Sequence, residues 1–230
     1  MKKWAGALLG AGLLCAALWG ALWLGRAGPP ARPAAAPQGL LIWVELDRKR
    51  LIVYENGVET AVFPIAAGAR DTPSPVGVYR VSYRFATELS GFGTRFLGLN
   101  VPFGQYGLHG TNAPGSIGQN ASHGCIRLRV GDAERLYRMA PNGARVVLEG
   151  GAYGALNAGL RTLREGDRGS DVQLLQRRLI QRGFLQGSAD GVLGAATRQA
   201  VIRARRALGL STGDAADWAL QTALGMALFE

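Results

Sequence analysis

The sequence predicts a mostly β domain of barrel or sandwich type with one or two helices, followed by a small all-α three-helix domain. Three observations carry this reading. Over residues 39–150, short apolar runs alternate with turn signals. Beyond residue 161, apolar residues recur at helical spacing between cap signals. Ahead of both, Trp4 to Gly25 is uncharged and its core, Ala5–Leu24, is long enough to span a bilayer.

In the N-terminal segment (residues 1–26), Lys2 and Lys3 favour a cytoplasmic N-terminus with the rest of the chain outside. The apolar run is longer than a usual signal-peptide core of about 7–15 residues, so an uncleaved membrane anchor is favoured over a cleaved signal. Residues 27–38, rich in Pro and Ala, read as a stiff spacer. Localisation follows: the cell envelope, on the periplasmic side, anchored in the inner membrane, with secretion after cleavage as the alternative.

In the β region, strands are expected at Leu40–Leu46, Leu51–Tyr54, Val58–Ile65, Val78–Tyr83, Leu97–Val101, Gly107–His109, Cys125–Leu128 and Arg145–Leu148. Glu55-Asn56-Gly57 marks a tight turn between the second and third. One amphipathic helix is expected from Val130 to Met139, ending before Pro141. Residues 151–160, rich in Gly and Ala, read as a linker to residues 161–230. There the first helix should start at Ser170 as N-cap, with Gln173 completing a capping box, and stop at Gly183. The second should span Ala195–Leu208 and the third Asp214–Ala227.

The net charge of +10 is spread thinly. The excess is +4 in residues 1–38, +3 in 39–150 and +3 in 151–230, so no dense phosphate-binding stripe forms and no nucleic-acid partner is expected. Of the two cysteines, Cys15 lies in the apolar N-terminal run and Cys125 in the β region. A bridge between them would tie a membrane segment to a folded domain, so Cys125 is read as a free, reactive thiol.

Candidate chemistry is concentrated around that thiol. The only two histidines, His109 and His123, lie near it in sequence. An extended Ser122–Arg127 segment would put His123, Cys125 and Arg127 on one face. Gly124 would let a substrate carbonyl approach, and the N–H groups of Gly124 and Cys125 could form an oxyanion hole. A thiol needs an imidazole or a positive charge to react at neutral pH, and spacing alone allows either histidine that role. A metal reading of His109, His123 and Cys125 lacks a fourth ligand for a closed structural site. Two hydrogen-bonded histidines beside a buried cysteine would have no chemistry at all.

The runs Gly107-Leu108-His109-Gly110-Thr111, Ser116-Ile117-Gly118 and Ala121-Ser122-His123-Gly124-Cys125-Ile126-Arg127-Leu128 resemble the YkuD-type L,D-transpeptidase catalytic domain. Thr72-Pro73 with Pro75-Val76-Gly77-Val78-Tyr79-Arg80-Val81 is similar to that family's upstream motif. The resemblance implies that Cys125 is the nucleophile and His109 the general base and acid. Ser122, His123 and Gly124 would shape the site. Arg127 would steady it or hold a substrate carboxylate, and Gly110 would border the substrate or orient His109 through a carbonyl. It also implies a thioester at Cys125, release of a terminal D-alanine, 3→3 cross-links or attachment to another amine, and no metal or organic cofactor. Release to water, or wall binding without turnover, are the alternatives.

The run Leu163-Arg164-Glu165-Gly166-Asp167-Arg168-Gly169-Ser170-Asp171-Val172, with Leu175-Gln176, Asp190-Gly191 and Gly194–Thr197, resembles a small peptidoglycan-binding domain. It departs from the family at Leu193 and at Ala204-Arg205. The implied partners are peptidoglycan, as tetrapeptide stems and glycan strands, and the membrane through the N-terminal helix, with the protein a monomer.

Overall fold

The computed structural model describes residues 39–86, 93–150 and 161–226. The expected membrane segment, the Pro/Ala spacer and the Gly-rich linker lie outside the described residues. Among the described residues, no helix is long and apolar enough to cross a membrane.

Among the described residues, ten strands and one α-helix build the first part. In chain order they are β1 (Leu40–Glu45), β2 (Arg50–Glu55), β3 (Val58–Pro64), β4 (Ala67–Gly68), β5 (Gly77–Phe85), β6 (Phe96–Leu99) and β7 (Tyr106–Gly110), then β8 (Asn120–Ser122), β9 (Ile126–Leu128), α1 (Val130–Met139) and β10 (Arg145–Glu149). Eight of the strands form one mixed sheet in the order β3-β2-β1-β10-β5-β6-β7-β9. The pairs β1/β10 and β7/β9 are parallel and the others antiparallel. The sheet curls until its two ends meet. Ala66, just past β3, exchanges backbone hydrogen bonds of 2.9 and 3.0 Å with Arg127 of β9. This barrel-like closure falls two residues from Cys125.

Local chemistry explains the strand order. Asn56 and Gly57 both take positive φ, 50° and 81°, which fits the right-handed twist of a two-residue hairpin between β2 and β3. Asn56 also accepts a 2.9 Å bond at Oδ1 from the Gly39 N–H. Inward residues such as Ile42, Val44, Val53, Phe63, Val81, Leu108, Ile126 and Leu148 fill one core. Each such side chain contributes about 1.5–3 kcal/mol on burial. Helix α1 lies over β6 and β7, with Ala133 and Leu136 buried beneath it. The expected strands are all present within two residues at their ends. No local signal marks β4 and β8, a short parallel pair, or the 3-10 turn at Pro114–Ser116.

The second part has its own core of Leu163, Val172, Leu175, Leu179, Leu193, Val201, Ala204 and Leu220, among others. Helices α2 (Ser170–Gln181), α3 (Ala195–Ala207) and α4 (Trp218–Ala223) surround it. Two expectations need correction. The last helix is shorter than Asp214–Ala227, because Ala216 exchanges backbone hydrogen bonds with Leu163 (3.0 and 2.9 Å) and Asp217 then caps the helix at the Leu220 N–H, 3.0 Å. The capping box at Ser170 and Gln173 does not form. Gly169 is the N-cap with no side-chain cap, and Gln173 bonds Ala189 and Arg177 instead.

Candidate active site

Strands β7 and β9 run parallel, with His109 opposite Arg127 and Leu108 opposite Ile126. One step back, the Cys125 sulfur accepts a hydrogen bond from the Gly107 backbone. Parallel partners send their side chains to the same side of the sheet, and alternate residues share that side. His109, Cys125 and Arg127 therefore share one face. Leu108, Ile126 and Leu128 point the other way, into the core.

His109 is almost fully buried, and its ring is fixed on two sides. Nδ1 lies 2.6 Å from the Gly110 carbonyl oxygen. An oxygen there accepts only from a protonated nitrogen, which makes Nε2 the basic one. Phe96, directly across on β6, stacks on the imidazole at 5.7 Å between centroids, and Phe85 stacks on Phe96 at 4.9 Å. The Phe96 ring occupies the space that a side chain at position 107 would need, which is why Gly107 must be glycine.

The cysteine turn is not the extended segment expected. Gly124 has φ +109°, and the Ser122 hydroxyl ties the turn together. Its Oγ accepts from the Gly124 N–H at 3.0 Å and donates to the Cys125 carbonyl at 2.6 Å. This has three consequences. His123 is exposed, and the Gly124 bend separates it from Cys125 and Arg127. The Gly124 N–H is engaged within the turn, so it does not supply the expected oxyanion donor. Gly124 itself is covered by Tyr106, whose Cε1 lies 2.6 Å from where a Cβ would stand.

Gly110 is buried with the Thr94 backbone against it, its own N–H donating to Thr94 at 3.0 Å. Its carbonyl meets His109 Nδ1. Among the described residues, no three His, Cys, Asp or Glu side chains gather as metal ligands, His109, His123 and Cys125 included. Cys125 carries no disulfide.

Burial pushes the Cys125 thiol above its ordinary value, while the Gly107 hydrogen bond and the Arg127 charge pull it back. At neutral pH the resting group is then a thiol, and a base must remove its proton at the moment of attack. Burial also raises the Tyr106 hydroxyl, with Cys125 raising it further and Arg168 lowering it.

Sequence reasoning missed the residues behind the turn. Thr72 Oγ1 donates to the Ser122 carbonyl at 3.0 Å, and the Ala69 N–H donates to the same oxygen at 2.9 Å. Ser74 Oγ accepts from the Gly68 N–H at 2.8 Å. The spacing of Thr72-Pro73 from the cysteine gave a motif, but not this contact.

With this geometry in hand, comparison with known proteins is specific. Residues 40–148 match the family model "L,D-transpeptidase catalytic domain" (YkuD), and residues 168–215 match the model "Putative peptidoglycan binding domain". The protein called "Putative L,D-transpeptidase YkuD" of Bacillus licheniformis is 38% identical over 105 residues, covering 46% of this chain and 62% of its own length. Its Bacillus subtilis (strain 168) namesake is 36% identical over 107 residues, covering 46% and 64%. The chain thus spans less than two thirds of the length of these curated relatives. An L,D-transpeptidase structure from Mycobacterium tuberculosis H37Rv aligns with TM-score 0.43 and 24% identity, covering 49% of this chain and 58% of that one. By the two family models, residues 40–148 belong to the YkuD L,D-transpeptidase catalytic-domain family, and a putative peptidoglycan-binding domain follows at residues 168–215.

Proposed function

We propose that this chain is an L,D-transpeptidase acting on peptidoglycan stem peptides through a thioester on Cys125. One observation carries the reading. A thiol kept protonated by burial shares a sheet face with a histidine whose Nδ1 is fixed on a backbone carbonyl, leaving Nε2 as the base. His109 takes the thiol proton as sulfur attacks the carbonyl carbon before the terminal D-alanine. It returns that proton to the departing D-alanine amine as the C–N bond breaks. An amine of a second stem then attacks the thioester and passes its proton to His109. The new amide forms, the C–S bond breaks, and the thiol is restored. The Cys125 N–H is the oxyanion donor that remains once Gly124 is engaged by Ser122. Arg127 keeps negative charge on this face favourable, and His123 is left with a supporting role at the rim.

The reading includes residues 1–26 as an anchor that holds residues 39–150 and 161–230 on the periplasmic side of the inner membrane. Recovery of the full chain in a soluble fraction after cell lysis would remove that part.

The test of the activity is incubation with defined disaccharide-tetrapeptides, read by mass spectrometry. The expected products are free D-alanine and a 3→3 dimer, both absent for Cys125→Ala. Dimer from Cys125→Ala overturns the reading. Free D-alanine without dimer, with and without an added amine, makes the enzyme a carboxypeptidase.

A further inference from the structure

Ser170 opens helix α2, yet its hydroxyl does not cap that helix. It accepts the Val76 N–H at 2.8 Å, across the boundary between the helical module and the catalytic sheet. The same hydroxyl hydrogen-bonds the Tyr79 hydroxyl, which in turn donates to the Val76 carbonyl at 3.1 Å. Val76 is thus held at both its backbone groups. Gly77, at φ +152°, makes room for this closed set, since a Cβ there would stand 2.8 Å from the Tyr79 oxygen. Val76 belongs to the short segment whose other end, Thr72, holds the Ser122 carbonyl behind the cysteine turn. A polar route therefore runs from the module to Cys125.

A second route is apolar. Gly191 of the module, at φ +74°, lies so close to Phe103 that a Cβ would overlap the ring. Its neighbour Val192 packs on the catalytic core. Phe103 is buried and meets Tyr106 edge-on at 5.9 Å, and Tyr106 covers Gly124. Arg168 pairs through its backbone with Val192 at this same seam. It is exposed, and its charge reaches the Tyr106 hydroxyl, as Cys125 does.

We propose that the helical module is a built-in wall of the active site, with Ser170 and Gly191 as positioning contacts for the Cys125 turn and Arg168 as a rim cation for an anionic peptide. A module that only tethered the enzyme to its polymer would leave the reactivity of Cys125 untouched. Here the module supports two of the elements that shape the turn, so loosening it lets Tyr106 and residues 72–76 move. The peptide carboxylates of a stem are the anionic groups that Arg168 would receive, and this part rests on the transpeptidase reading above.

The test uses the full chain and two readouts: turnover of a tetrapeptide stem, and the rate of Cys125 alkylation by iodoacetamide, a neutral reagent that needs no substrate recognition. Ser170→Ala removes the latch without removing a helix cap. Gly191→Ala presses a Cβ into Phe103. Gly187→Ala is the control, because it strains a positive-φ glycine (φ +100°) in the same module with nothing within 4 Å. The expected result is a change of about fivefold or more in alkylation rate and a loss of about tenfold in kcat for Ser170→Ala and Gly191→Ala, with Gly187→Ala close to wild type. Arg168→Ala should raise KM about tenfold for a stem with free carboxylates, leave kcat and alkylation unchanged, and be largely restored by Arg168→Lys. A stem with amidated carboxylates should not respond. Wild-type alkylation and turnover in both Ser170→Ala and Gly191→Ala overturn the wall, and an unchanged KM in Arg168→Ala overturns its cation. If the wild type turns over no stem peptide, the transpeptidase reading falls, while the alkylation rates still decide the wall.

Discussion

The catalytic sheet and the helical module bury polar side chains to opposite ends. In the sheet, Ser74, Thr94, His109, Thr111 and Ser122 are buried at or behind the cysteine–histidine face. Ser122 bonds Gly124 and Cys125, and the His109 ring meets the Gly110 carbonyl. Ser74 takes the Gly68 N–H on the strand paired with β8, and the Thr94 backbone takes the Gly110 N–H. In the module, Gln176, Thr197, Arg205 and Gln221 are equally buried. Thr197 meets Gln176, and the other partners are mostly scattered loop groups. Gln176 alone reaches Asp190, Val192 and Thr197 through Nε2 and takes the Gly191 N–H on Oε1 at 2.7 Å. Arg205 bonds Ser211 twice, Ala215 once, and pairs with Asp217 at 2.8 Å. Buried polarity that converges on one reactive pair serves chemistry, whereas buried polarity that radiates to backbone groups replaces missing secondary structure.

The sharpest way to break this comparison is to remove one group of each kind. His109→Ala should lower turnover by about a thousandfold, roughly 4 kcal/mol of transition-state stabilisation, and cost much less in folding. His123→Ala, at an exposed position, should stay within about threefold. Equal losses in the two variants would dissolve the assignment of the base. In the module, Arg205→Ala should behave inversely. It strips two backbone carbonyls and Asp217 of their partner and should destabilise the module by about 2–4 kcal/mol, seen as an earlier thermal transition. Asp217 is partly exposed, so water offsets part of that loss. A next, smaller effect is expected at Gly124→Ala. A left-handed φ and the Tyr106 ring both oppose the new Cβ, at about 1–3 kcal/mol, with turnover reduced alongside.

The same contrast explains what was legible in the sequence. The strands were readable because period-2 apolar runs and the Asn56-Gly57 turn are local signals. Cys125 and His109 stand out as candidates because each sits in a short motif, and strands β7 and β9 bring those two motifs side by side. What failed was of longer range. Ser122 to Cys125 looks extended by alternation, but Gly124 and the Ser122 hydroxyl bend it. Ser170 carries every local mark of an N-cap, and its hydroxyl is taken instead by Val76, 94 residues earlier in the chain. Arg205 stands where the binding-domain family favours a different residue, and its role appears only once the loop at residues 211–217 is folded over it. Side chains whose partners lie across a domain boundary leave no spacing to read.

The smallest effect expected is also the most directional. Burial pushes the Tyr79 hydroxyl up to about 12, with Ser170 and Arg177 only partly opposing it. The folded state therefore holds the Tyr79 proton more tightly than the unfolded chain, whose tyrosines titrate near 10. The stability this provides is complete below about pH 10 and is lost as pH rises through about 12. At pH 11 the loss should be about 1.4 kcal/mol relative to pH 8. Tyr106 and Cys125, also raised by burial, act in the same direction and persist in any Tyr79 variant. Tyr79→Phe should thus be less stable than wild type at pH 8, by about 1 kcal/mol for the lost hydrogen bonds, but should lose less between pH 8 and pH 11. Urea midpoints for the two proteins at both pH values measure this difference. Parallel losses would mean that the Tyr79 hydroxyl is solvated in the native protein, and that the seam at Ser170 and Val76 is open to water.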